Sequence, residues 1–293
     1  MNTLYAMPGN EVFAELLSLH TGYPRQQLSL HDFPDGETLV QMAAPAPGGD
    51  AVIVCTLDRP DPKVLPLMMA AATARELGAA RVGLVAPYLA YMRQDTRFHP
   101  GEAISARIFG DWLGHTFDWL VTVDPHLHRN ATLAEVYPRA AHVAHAASQL
   151  AVWIDAHVTK PLIIGPDQES AQWVTAVSNL LCAPSVVARK ERHGDRDVVV
   201  FLPEMEHWRD HTPVVLDDII ASGGTMLQTL RCLHGRSSLP PVCVAVHGLF
   251  TEDILENLLA EGAGLIVTSN SVITHTSQID ISKPVAEAMV SLC

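Results

Sequence analysis

The chain has 293 residues, 48% hydrophobic and 6% aromatic, with a formal net charge of −13. That length suits two domains with real cores, and the acidic balance excludes a broad nucleic-acid-binding surface. Cys55, Cys182, Cys232, Cys243 and Cys293 form no CxxC pair and read as reduced thiols, which points to a cytoplasmic protein. The first residues lack a basic-then-apolar signal-peptide pattern, and no apolar run reaches membrane-spanning length, so no membrane partner is expected.

Residues 3–7 read as a strand, followed by a Pro8-Gly9-Asn10 turn whose Asn10 caps a helix running to His20 and stopped by Gly22. Residues 26–33 and 37–42 are the arms of a β-hairpin about Pro34-Asp35-Gly36. A buried strand at 51–55, a helix at 63–77 stopped by Gly78, and a buried strand at 81–86 closed by Pro87 come next. The polar, aromatic stretch 88–101 is a loop, 104–113 a helix, and 118–123 a strand ending in Asp124.

The alternation then repeats. Residues 148–157 are helical, 161–164 form a strand ending at Gly165-Pro166-Asp167, 171–181 a helix and 185–188 a strand. After a charged loop come strands at 198–202 and 214–216, a helix at 223–234, a strand at 242–247, a helix at 252–260, a strand at 264–268 and a final helix at 284–292. Such alternation predicts an α/β fold with mostly parallel, doubly wound sheets flanked by helices. Two similar series predict duplicated domains, 1–145 and 146–293, with the final helix either closing the second or packing back on the first.

The most informative stretch is Val214 to Thr225: a β-rich run, Asp217 and Asp218 side by side, a small-residue turn through Ala221, Ser222, Gly223 and Gly224, and then a helix start. Helix N-terminal amides favour phosphate, and the carboxyl edge of an open α/β sheet is where ligands bind. The carboxylates cannot hold phosphate, but they accept from sugar hydroxyls or hold Mg²⁺. The pairing suits a sugar phosphate. No Lys follows the glycines, so it is not a P-loop.

Other segments read two ways from the residues alone. Phe33, Asp35 and Glu37 at the hairpin tip are an ordinary turn or a purine-stacking platform. Arg93 and Arg97, rare cations in an acidic chain, are solvated loop charges or a triphosphate clamp. His126 and His128 follow Asp124 at a strand end; they suit Mg²⁺-linked phosphate, and a zinc site there lacks a third strong ligand. The run 189–197 is a solvated hairpin loop or a mobile loop that closes Lys190 and Arg192 over a transferring phosphoryl group.

In order along the chain, these segments resemble the ribose-phosphate pyrophosphokinase (PRPP synthetase) family. Phe33-Pro34-Asp35-Gly36-Glu37 resembles its F-x-[DN]-G-E hairpin, and residues 87–95 are similar to P-Y-x-x-Y-x-R-Q-D. Residues 100–106 look like the segment entering I-S-A-K, Thr122-Val123-Asp124-Pro125-His126 like T-V-D-x-H, and Gly165-Pro166-Asp167 like S-P-D. Lys190-Glu191-Arg192 resembles the K-x-R of a catalytic loop, and 217–225 the PRPP motif shared with phosphoribosyltransferases. Residues 268–271 and 285–289 resemble the family's T-N-[ST] strand end and closing helix.

The resemblance implies two tandem phosphoribosyltransferase-like domains and transfer of the β,γ-diphosphate of ATP to ribose 5-phosphate, with Mg²⁺. It implies ATP contacts from Phe33, Asp35, Glu37, Arg93, Gln94, Asp95 and Arg97, and ribose-5-phosphate contacts from Asp217, Asp218, Ala221, Ser222, Gly223, Gly224 and Thr225. Lys190, Arg192 and His126 would be catalytic, with His126 and Asp167 facing metal. It also implies a homodimer or hexamer, since the hairpin serves a neighbouring subunit. Gln168-Glu169-Ser170 stands where Gly-Gly often follows S-P-D, and Glu191 where many members carry a second base. These departures motivate an alternative, a catalytically weak paralogue that binds nucleotide or PRPP and regulates a partner; a diphosphokinase for another sugar phosphate, differing only in pocket details, is a second.

Overall fold

The computed structural model describes residues 1–127, 132–193 and 197–293, and of 190–193 and 197–200 it describes the backbone alone. The chain divides into two compact units, Met1–His145 with Ser282–Cys293, and Ala146–Ile281.

The N-terminal unit contains β1 (Thr3–Ala6), α1 (Glu11–Thr21), β2 (Arg25–Gln26), β3 (Leu28–Asp32), β4 (Thr38–Met42), β5 (Ala51–Val54), α2 (Asp61–Glu76), β6 (Val82–Ala86), α3 (Ser105–Thr116), β7 (Trp119–Val123) and β8 (Ala140–Ala144). Its sheet is wholly parallel in the order β2-β1-β5-β6-β7-β8. The inner strands β5, β6 and β7 are buried along their whole length, as expected where helices cover both faces. The β3–β4 hairpin is a separate antiparallel ribbon.

The second unit runs α4 (Ala147–His157), β9 (Pro161–Gly165), α5 (Ala171–Leu181), β10 (Ser185–Val187), β11 (Arg189–His193), β12 (Asp197–Phe201), β13 (Thr212–Ile220), α6 (Gly224–Leu233), β14 (Val242–Gly248), α7 (Glu252–Ala260), β15 (Leu265–Ser269) and β16 (Ser277–Ile279). Its sheet is also parallel, ordered β10-β9-β13-β14-β15-β16. The chain steps outward from β9 to β10, then returns to the other side of β9 with β13. This places the topological switch point between β9 and β13. The core beneath it joins Ile164, Val215, Met226, Leu230 and Leu258.

The C-terminal helix α8 (Ser282–Val290) belongs to the N-terminal unit. Its Val285, Ala286, Ala288 and Met289 are buried, and it packs on α1, β7 and β8. A short amphipathic helix is stable only where its apolar face finds a surface, and that surface is the first unit's.

Three local expectations need correction. Residues 26–33 are not one strand: Arg25–Gln26 pairs with β1 and Leu28–Asp32 with β4. Of the charged run 189–197 expected as a loop, Arg189–His193 is strand β11, laddered antiparallel to β12, which begins at Asp197; residues 194–196 lie outside the described residues. Edge strands β8 and β16 were not anticipated, because Ala-rich and three-residue segments carry little intrinsic strand signal.

Candidate active site

At the carboxyl end of β13 stand Asp217, half-buried, and Asp218, 3% exposed. The Asp218 amide donates to Asp217 Oδ1 at 3.0 Å. The chain then turns through Ala221 and Ser222 into α6, which is capped by Gly223 at φ 72°. Only glycine fits there: a Cβ would take up a left-handed conformation and lie 2.8 Å from Ile254 Cγ2. Ser222 and Gly224 are exposed, so the loop meets solvent where the helix start concentrates positive partial charge.

Across the switch point, β9 ends in the Asp167 turn. Asp167 Oδ1 accepts the amides of Glu169 at 3.0 Å and Ser170 at 3.2 Å, and the buried Ser170 hydroxyl donates to the Asp167 carbonyl at 2.6 Å. The Gln168-Glu169-Ser170 departure therefore closes a tight turn of its own and starts α5. Burial, then Asp218, then Asp167 push the Asp217 carboxyl well above its ordinary range. Three carboxylates thus act on one edge of the sheet.

The Ala188 amide donates to the Gly165 carbonyl at 2.8 Å, so the β11–β12 ribbon leaves the sheet beside the Asp167 turn. Lys190 and Arg192 lie on β11, in register with Val200 and Val198; their side chains lie outside the described residues.

In the N-terminal unit, two candidate segments leave adjacent parallel strands at the same carboxyl edge. After β6, Arg93, Gln94 and Arg97 are exposed while Asp95 is 7% exposed. Gln94 anchors this loop to α3: its carbonyl accepts from the Ala106 amide at 3.2 Å, and its Oε1 accepts from Ser105 Oγ at 2.5 Å. Arg97 Nε donates to the Glu102 carbonyl at 2.9 Å. After β7, Asp124 is buried and His126 half-buried. His128 lies outside the described residues.

The hairpin carries Phe33, 41% exposed, with its ring edge-on to His31 at 4.9 Å. Asp35 Oδ1 accepts the Glu37 amide at 3.1 Å, an Asx turn that shapes the tip; Asp35 and Glu37 are themselves exposed. The sequence reading singled out neither His145 nor its partner role toward Asp124. The two are far apart in the chain, and the strand that joins them, β8, left no pattern.

Residues 3–116 match the family model for the N-terminal domain of ribose phosphate pyrophosphokinase, and residues 133–252 that for the phosphoribosyl transferase domain. The chain is 31% identical to the ribose-phosphate pyrophosphokinase of Methanopyrus kandleri over 89% of each chain. The chain belongs to the ribose-phosphate pyrophosphokinase family. The pyrophosphokinase of Halobacterium salinarum is 28% identical, with 96% of this chain and 98% of that one covered. The fold is that of the phosphoribosylpyrophosphate synthetase from Mycobacterium smegmatis, with a TM-score of 0.84 over 99% of this chain and 98% of that one, at 20% identity. As a pyrophosphokinase the protein is an enzyme, a transferase of diphosphate groups, built from two phosphoribosyltransferase-like α/β units. Among the described residues no helix is long and apolar enough to cross a membrane.

Proposed function

We propose that the protein makes 5-phosphoribosyl diphosphate and AMP from ribose 5-phosphate and ATP. The observation that carries this reading is the switch-point loop of the second unit: a glycine-capped helix start beside paired carboxylates, in a chain of the pyrophosphokinase family. The 5-phosphate sits on the loop formed by Ala221, Ser222, Gly223, Gly224 and Thr225, where amides and the α6 dipole meet its charge. Asp217 and Asp218 accept hydrogen bonds from the ribose hydroxyls, which orients the 1-hydroxyl.

The 1-hydroxyl oxygen attacks the β-phosphorus of ATP. A new O–P bond forms, the bond to the bridging α,β-oxygen breaks, AMP leaves with that oxygen, and the hydroxyl proton passes to solvent. Arg93, Gln94 and Arg97 bind ATP, Asp95 supports their loop from its buried position, and Phe33, Asp35 and Glu37 surround adenine, supplied by a second copy of the chain in a homodimer or hexamer. Lys190 and Arg192 stabilise the charge on the moving diphosphate, because phosphoryl transfer depends mainly on positive electrostatics and in-line placement.

The donor set fits Mg²⁺. Hard carboxylate oxygens crowd the β9–β13 edge, where burial first, then Asp218 and Asp167, raise the Asp217 carboxyl. Mg²⁺ takes one or two carboxylates plus substrate phosphates rather than an all-protein cage; among the described residues no three His, Cys, Asp or Glu form such a cage. Asp167 is the group that would hold it at this edge, and His126 is the metal-facing candidate within the N-terminal unit. Bound there, Mg²⁺ would neutralise phosphate charge and polarise the β-phosphorus.

The test is AMP release from ATP and Mg²⁺, with and without ribose 5-phosphate, followed by chromatography. AMP and 5-phosphoribosyl diphosphate appearing together, and only with the sugar, is the expected result. AMP formed only with another sugar phosphate would change the acceptor. No AMP at all, with calorimetric binding of ATP, would replace the enzyme reading by a nucleotide-binding regulator.

A further inference from the structure

We propose that His145 is a positioning residue for the nucleotide half of the reaction: it holds the Asp124 carboxylate and thereby fixes the turn that presents His126. The inference rests on the diphosphokinase reading above. Asp124 directly follows the buried strand β7, and its side chain is 4% exposed. Its backbone adopts φ 34°, a left-handed conformation that non-glycine residues populate sparsely. Tertiary contacts must therefore hold it there.

Two of those contacts come from consecutive residues at the end of β8. The Asp124 amide donates to the Ala144 carbonyl at 3.1 Å, and the His145 Nδ1 hydrogen donates to Asp124 Oδ1 at 2.8 Å. A carboxylate only accepts, so Nδ1 carries the proton in this bond. Backbone and side chain of Asp124 are thus gripped from the same strand end, in a register already set by Thr122 against Val143 and Val123 against Ala144.

One residue beyond Asp124, Pro125 restricts the backbone and hands on to His126. An error in the Asp124 conformation is passed to His126 with little chain in which to absorb it. Truncating His145 removes a charge-assisted bond from a buried carboxylate, which then swings toward other partners or water and takes the turn with it. His145 itself is largely exposed, with 73% of its side-chain surface accessible, and packs no core. Its removal should spare the fold and disturb placement, and small misplacements of catalytic groups reduce rates by up to about 100-fold.

The experiment compares wild type, His145→Ala and His145→Asn, in the full chain. Asn keeps a donor that reaches the Asp124 carboxylate. Melting temperature, kcat, KM for each substrate, and calorimetric Kd for Mg-ATP are measured. His145→Ala should melt close to wild type, lose about 10- to 100-fold in kcat, and bind Mg-ATP more weakly, with KM for ribose 5-phosphate unchanged. His145→Asn should recover most of both losses. Wild-type kcat and Mg-ATP affinity in His145→Ala would overturn the proposal, as would an Asn variant no better than Ala, or a KM for ribose 5-phosphate that rises in step with that for ATP. If the wild type releases no AMP, the diphosphokinase reading fails, and the calorimetric comparison of Ala with Asn still decides the role of His145.

Discussion

Asp217 in the carboxyl half of β13 feels the charge of Asp167 in the turn after β9, across the switch point of the C-terminal sheet. Burial and the adjacent Asp218 act on it more strongly, in that order, and all three push its carboxyl upward. Under the proposed function, a sugar hydroxyl or a cation bound there would offset this cost of burying charge beside two other carboxylates.

The raised carboxyl, lifted by burial first and by Asp218 and Asp167 after it, makes stability fall as pH rises. An acid whose folded pKa lies above its unfolded value, about 3.9 for Asp, keeps a proton in the folded state that the unfolded chain has lost. Stability is greatest below the unfolded value and declines as pH climbs through the interval up to the folded one. Asp217→Asn should raise the melting temperature near neutral pH and flatten its decline, while reducing turnover by about 100-fold or more. Melting curves from pH 5 to 9 check this; an Asn variant with the wild-type pH slope would contradict it.

Gly223→Ala tests the phosphate loop. The new methyl meets Ile254 Cγ2 and forces a non-glycine residue to φ 72°. A loss of about 1–3 kcal/mol is expected, with a raised KM for ribose 5-phosphate and little change in that for ATP. Thermal denaturation and initial rates with each substrate varied in turn report it.

Lys190→Ala addresses the ribbon. If Lys190 acts on the migrating diphosphate, kcat should fall by about 100- to 1,000-fold with the Kd for ribose 5-phosphate unchanged in calorimetry. Unaltered turnover would remove Lys190 from the mechanism.

Phe33→Ala examines the hairpin. The ring is 41% exposed and joins no core, so melting should be unaffected while KM for ATP rises. Because the hairpin is expected to serve a neighbouring copy, mixing Phe33→Ala with the slow Asp217→Asn should restore part of the activity. Mixtures no more active than the sum of their parts would place each adenine platform on its own chain.

Much of the architecture was legible in the residues. Buried β-rich runs such as 51–54 and 82–86 and the turn chemistry of Gly22, Gly36 and Gly223 are local signals, and they marked the alternation of strands and helices. Less legible were β8 and β16, which are strands only because a neighbour offers a free edge, and the junction at 26–28, where adjacent residues join different ladders.

The sequence by itself determined the two α/β series, the acidic pair before a glycine-capped helix, and the order of motifs that places the chain in its family. Periodicity, backbone freedom and side-chain chemistry act over a few residues, so one strand of text carries them. Only the tertiary structure decided that Asp167 and Asp217 share an electrostatic neighbourhood, that His145 grips Asp124, and that the last helix belongs to the first unit. Each of these depends on strand order and on which apolar face finds a partner, and such contacts form through space between segments that carry no local mark of one another.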